Sequence, residues 1–210
     1  MADYKEQIAG YIDQSAKAYQ DIALAIHEKP EVSDFEFFAS ETLSEQLRKE
    51  GFDIELPAAG HRTGFAARYK SGKPGPVVAF LAEYDALAGL GHGCGHNVFG
   101  ATSSLAAAGL KQVVDAIGGE VRVYGTPGEE GGQNGSAKGS FVKKGYLKDV
   151  DFALCVHPGT KPTDGLSTRN YACAPVDIEF WGKPAARRMG SMHSTRRSSP
   201  TTRWDFFASS

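Results

Sequence analysis

The chain has 210 residues, room for one large domain or for one domain and part of another. Its 41% hydrophobic and 23% charged residues argue for a folded globule over disorder, and a net charge of −2 gives no reason to expect nucleic acid or an anionic membrane as partner. No apolar run approaches the roughly 20 residues of a membrane span. The start, MADYKEQIAGYIDQ, lacks the basic head and apolar stretch of a secretory signal. Three widely spaced cysteines, Cys94, Cys155 and Cys173, read as reduced thiols of a cytoplasmic protein.

In chain order, Ile8, Ile12, Tyr19, Ile22 and Ile26 fall on one stripe of a first helix that Pro30 stops. Ser33-Asp34-Phe35-Glu36 has the form of a capping box at the start of a second helix, which Gly51 is placed to end. Strands are predicted around 52–56, 64–70 and 77–82, the last an almost continuous apolar run suited to a sheet buried on both faces. The alanine- and leucine-rich stretch from Asn97 to about Ala116 predicts a helix. Further strands are predicted at 121–124 and 152–156.

Strands alternating with helices predict an α/β layered fold. Asp85, the Glu129-Glu130 pair and His157 then follow the third, fourth and fifth strands, at the carboxyl ends where open α/β sheets bind ligands.

GLGHGCGHN, residues 89–97, sets Cys94 and His96 two apart among glycines. Glycine frees the backbone to aim a thiolate and an imidazole at one point, and both are good ligands for zinc-like ions. One Cys-x-His pair is half a site. GTPGEEGG, residues 125–132, adds adjacent carboxylates whose repulsion a cation or solvent must offset. Two such acids allow one to bind metal and the other to take a proton from water. His157, at the end of LCVHP, offers another imidazole. GQNGSAKGS lacks the Gly-Lys-Ser/Thr order of a phosphate loop, and GLGHGCG breaks the glycine spacing of a dinucleotide turn. A cysteine hydrolase with Cys94 as nucleophile and His157 as base is a competing reading, but it leaves the two glutamates unexplained.

LAEYDALAGLGHGCGHN, GTPGEEGG and DFALCVHP together resemble the M20 metallopeptidase/amidohydrolase family, in the branch of hippurate hydrolase, aminobenzoyl-glutamate hydrolases and M20 dipeptidases. IALAIHEKPEVSDFEFFASETLSEQLRKEGFDIE is also similar to that family's opening, so the resemblance spans about residues 18–185. It implies a zinc-peptidase-like α/β/α catalytic domain, here incomplete, and two divalent ions (zinc, manganese, cobalt or nickel). Cys94, His96, Glu130 and His157 are implied as ligands, with Cys94 bridging the ions. Glu129 is implied as the general base, and Asp85 as a carboxylate that orients a ligand without touching the metal. His92 is expected to support the site without ligating, His27 to lie at a helix end near it, and His61 on a surface loop. The substrate implied is a small amide or dipeptide, and the full-length family member is a homodimer.

Residues 1–170 are thus expected to form the N-terminal part of the catalytic domain, and 171–185 the first strand of a small α/β lid and dimerisation domain. The last 25 residues, from Ala186, hold five arginines, one acid and no Ile, Leu or Val, and are expected to be a disordered tail. The family continues GKPAHA where this chain has GKPAARR. Ala-Arg-Arg-Met-Gly-Ser can be encoded so that a one-base shift reads His-Ala-Ala-Trp-Asp-Pro, so residues 186–210 are expected to be an out-of-frame translation. Lacking a late ligand, an oxyanion-stabilising histidine and the covering strands, the chain is expected to be poorly soluble and weakly active or inactive.

Overall fold

The computed structural model describes residues 3–132, 134–159, 172–179 and 201–208, which fall into two units, Met1–Thr160 and Lys161–Ser210. The first unit carries α1 (Tyr4–Glu28), α2 (Phe37–Lys49), β1 (Asp53–Glu55), β2 (Phe65–Lys70), β3 (Val77–Ala82), α3 (His96–Ile117), β4 (Glu120–Gly125), α4 (Ala137–Lys143) and β5 (Phe152–Leu154). The sheet order is β1-β2-β4-β3-β5. Strands β4, β3 and β5 are parallel to one another, while β2 runs antiparallel to both β1 and β4. Among the described residues no helix is long and apolar enough to cross a membrane.

Alternation along the strands splits the core in two. Phe65, Ala67, Val121 and Val123 pack with Ile26, Leu43 and Leu47 of α1 and α2 and with Ala107 of α3. On the other face, Ala66, Ala79 and Tyr124 pack with Ala137 and Phe141 of α4. The layered α/β architecture expected from the sequence is therefore present. The helix α4 is not predicted from the sequence, because its seven residues sit in a Gly/Ser-rich stretch with little helical periodicity.

Two local expectations are corrected. Ser33 and Glu36 do not form a capping box: Ser33 Oγ donates to Asp85 Oδ2 at 2.8 Å, and buried Glu36 accepts from Thr63 Oγ1 at 2.8 Å and from the Gly128 N–H at 2.9 Å. The free N–H groups of α2 are met by Glu31, whose carboxylate accepts from Phe38 and Ala39. His61 is not a surface residue; it is buried, with Nε2 2.9 Å from Ser140 Oγ. β3 is also less enclosed than its apolar run suggests, because its neighbour β5 is short and exposes Phe152 and Leu154.

The second unit contains β6 (Ala172–Glu179) and β7 (Thr201–Ala208), paired antiparallel with Ala172 opposite Ala208 and Glu179 opposite Thr201. β6 lies within the stretch expected to begin a lid domain. β7 lies within the stretch expected to be disordered, and its TTRWDFFA text has the Thr and aromatic content that favours strands. His193 lies outside the described residues.

Candidate metal centre

The three parallel strands end side by side, and the Thr126 N–H donates to Ala82 O at 2.8 Å to hold the exits of β3 and β4 together. The chain leaves β3 through Glu83-Tyr84-Asp85, leaves β4 through the 126–132 turn, and leaves β5 toward His157. α3 closes the group from one side. Its cap, Gly95, has φ of 78°, a left-handed conformation that favours glycine and delivers His96 as the first helical residue. Farther along, a Cβ on Gly100 would stand 2.8 Å from Glu83 O and 2.9 Å from Leu43 Cδ1. The lack of a side chain there lets α3 lie directly against the backbone of Glu83.

His96 is fully buried at the focus of the group. Its Nδ1 faces Asp85 Oδ1 at 2.9 Å and Asp85 O at 3.0 Å, so that nitrogen carries a proton, and in the neutral ring Nε2 presents the lone pair. Around Nε2 stand Glu83 Oε2 at 3.0 Å, His157 Nε2 at 3.2 Å, and Glu129 Oε2 and Glu130 Oε1 at 3.9 Å each. His157 Nδ1 lies 2.7 Å from Pro158 O, which fixes its proton there and turns a second lone pair toward the first. Among the described residues two sets of three could hold an ion, Glu83–His96–His157 and His96–Glu129–Glu130, with donor atoms within 4.8 Å of one another in each.

Asp85 ties the surrounding segments together. Besides His96, it accepts from Ser33 Oγ and from the Glu130 N–H at 2.9 Å. Burial works to raise its pKa, but those hydrogen bonds outweigh burial and hold it below the ordinary carboxylate range. Burial likewise acts to lower His96, yet Asp85 and Glu83 overcome it and raise the imidazole to about 10. Without a cation the crowd of carboxylates thus keeps His96 doubly protonated. Burial, then the charge of Glu83, raises Glu129. Cys94 is pushed up to about 11, first by a hydrogen bond to Glu130 and then by burial and neighbouring acids.

Of the residues singled out from sequence, the structure brings His96, Glu129, Glu130, His157 and Asp85 to one place. Cys94 touches Glu130 but belongs to neither set of three. His92 stacks on His27, ring centroids 6.2 Å apart, outside both sets. Two further residues emerge only from the structure. Glu83 precedes Asp85 by two on an extended segment, a spacing that turns both side chains the same way and is the one signal the sequence holds for it. Lys138, on α4, contacts Glu83 Oε1, and nothing local in sequence marks it.

The donor set suits a divalent cation. Imidazole nitrogen and carboxylate oxygen are the ligands of zinc, manganese, cobalt and nickel sites. Glu83 Oε2 is buried with no hydrogen-bond partner among the described residues, a costly arrangement for a carboxylate unless something positive shares it.

No protein-family model matches the chain. In sequence it is 39% identical over 176 residues to a p-aminobenzoyl-glutamate hydrolase chain of Escherichia coli, a match covering 73% of this chain and 36% of that one. It is 31% identical over 196 residues to the Xaa-Arg dipeptidase of Mus musculus, covering 85% and 43%. In fold it is similar to a dinuclear metal binding peptidase of the M20 family from Bacillus subtilis, with a TM-score of 0.56 at 24% identity over 69% of this chain and 42% of that one. The chain therefore spans about 36–43% of the length of these curated relatives.

Proposed function

We propose, since the chain belongs to the M20 metallopeptidase/amidohydrolase family, that it contributes the main part of a site that hydrolyses an amide bond in an N-acyl amino acid or dipeptide-like substrate. The observation that carries this reading is the meeting of two imidazole lone pairs, His96 Nε2 and His157 Nε2, among three glutamates. Cys94, His96, Glu130 and His157 hold two divalent ions, drawn from zinc, manganese, cobalt and nickel. When bound, such ions supply Lewis acidity and make water a stronger acid.

The chain's own residues do the rest. Asp85 fixes the His96 tautomer so that Nε2 faces the centre. Glu129 takes the proton of the attacking water, and its raised pKa brings it closer to the operating range of a general base. Residues 1–170 belong to the catalytic domain, 171–185 begin the lid and dimer-forming domain, and the setting is cytoplasmic.

A cysteine nucleophile fits less well. Such a thiol needs neighbours that lower its pKa, whereas Cys94 faces Glu130 and is pushed up. A metal-binding chain without turnover is a second reading, for which the two sets of three donors would suffice.

Hippurate, aminobenzoyl-glutamate and β-alanyl dipeptides, offered with each of the four metals, test the proposal. Turnover that a chelator abolishes and added metal restores is the expected result. Turnover indifferent to chelator but blocked by alkylation of Cys94 would replace it with the cysteine reading, and metal uptake without turnover on any substrate would favour the second.

A further inference from the structure

Glu83 has no part in the ligand set carried over from the family, yet its geometry is that of a ligand. Its Oε2 lies 3.0 Å from His96 Nε2 and 4.0 Å from His157 Nε2, and those two nitrogens are 3.2 Å apart. The point equidistant from the corners of that triangle is about 2.0 Å from each, within the ~2.0–2.2 Å of zinc bonds to imidazole and carboxylate. The side chain is 3% exposed, and Oε2 has no hydrogen-bond partner among the described residues. A buried anionic oxygen this close to two imidazole nitrogens needs a positive charge between them, a proton on His96 Nε2 when no ion is bound and a cation in its place when one is.

The other oxygen is accounted for. Oε1 is held by Lys138 Nζ, from α4 on the opposite edge of the site. That contact stops the carboxylate from rotating and leaves a single oxygen to face His96. Lys138 also neutralises only one of the four carboxylates, Glu83, Asp85, Glu129 and Glu130, that gather around His96, so it does not replace a divalent ion.

We propose that Glu83 is a direct metal ligand, sharing one ion with His96 and His157, and that Lys138 is the positioning residue that holds its second oxygen. This rests on the metal-centre reading above and adds a ligand to it.

Cobalt(II) binding to the full 210-residue chain, followed by equilibrium dialysis and by the visible spectrum, tests the assignment. Glu83→Gln keeps shape and volume but loses the charge. We expect it to weaken one of the bound ions by more than the roughly 10–100-fold that loss of an outer hydrogen-bond partner costs, and to change the cobalt d–d bands. Lys138→Gln, at a partly exposed position, should weaken binding within that roughly 10–100-fold range and shift the same bands. Far-UV circular dichroism checks folding; if Glu83→Gln unfolds, Lys138→Gln alone decides. Unchanged affinity and spectrum in a folded Glu83→Gln variant, with cobalt bound normally by the parent chain, would overturn the Glu83 assignment and leave the broader reading standing. A folded parent chain that takes up no cobalt would overturn both.

Discussion

The Nε2 atoms of His96 and His157 stand 3.2 Å apart while each ring's Nδ1 is engaged by an oxygen, Asp85 Oδ1 at 2.9 Å and Pro158 O at 2.7 Å. Two lone pairs so placed must share a proton or a metal ion. In the metal-free chain it is a proton, and His96 is raised to about 10 despite its burial. A raised imidazole pKa contributes stability that is complete below the ordinary value of 6.5 and is lost as pH climbs through about 10. We expect the urea midpoint of the metal-free chain to fall across that window, and to fall less in His96→Gln. Metal must displace the same proton, so calorimetry in two buffers of different ionisation enthalpy should register proton release near pH ~8. No release would show that His96 is already neutral there.

Asp85 joins three segments through His96, Ser33 and the Glu130 N–H. Asp85→Asn, with its amide oxygen in the place of Oδ2, can still accept from Ser33 Oγ and the Glu130 N–H but offers an amide nitrogen where His96 Nδ1–H needs an acceptor. The expected loss is roughly 10–100-fold in metal affinity, measured by competition with a chromophoric chelator. Equal affinity would mean that the imidazole is oriented by Asp85 O alone.

Glu129 and Glu130 are adjacent in sequence and equidistant from His96 Nε2, at 3.9 Å. The proposed roles separate them. Glu129→Gln should keep its metal and lose roughly 100–10,000-fold in kcat, whereas Glu130→Gln should lose metal as well. Metal content alongside kcat, each measured on the same preparation, distinguishes the two; a reversal of the pattern would exchange the roles.

Gly100 is where α3 meets the backbone of Glu83, with room for no Cβ. Alanine favours a helix interior over glycine by about 1 kcal/mol, but overpacking against a carbonyl that cannot rotate aside costs about 1–3 kcal/mol. We expect a net loss of stability in Gly100→Ala by chemical denaturation, together with weaker metal binding because Glu83 and His96 move apart. A stabilised variant with normal metal binding would show that the helix can slide.

Much of this protein is legible from its residues in order. Ile8, Ile12, Ile22 and Ile26 repeat at helical steps, and Val77–Ala82 is apolar throughout, because local periodicity follows directly from which face is buried. Cys94, His96, Glu129, Glu130 and His157 are marked by glycine-rich turns or strand ends, where chemistry-bearing side chains are readily aimed. The tertiary structure alone decided the rest. Ser33 and Glu36 have the letters of a helix cap, but Asp85, Thr63 and the Gly128 N–H, 27–92 residues away in sequence from these groups, take their side chains instead. Glu83, Lys138 and the burial of His61 against Ser140 likewise depend on segments that meet only after the sheet has assembled. A hydrogen bond or an ion pair is specified by both ends, and a linear text shows each end without its partner.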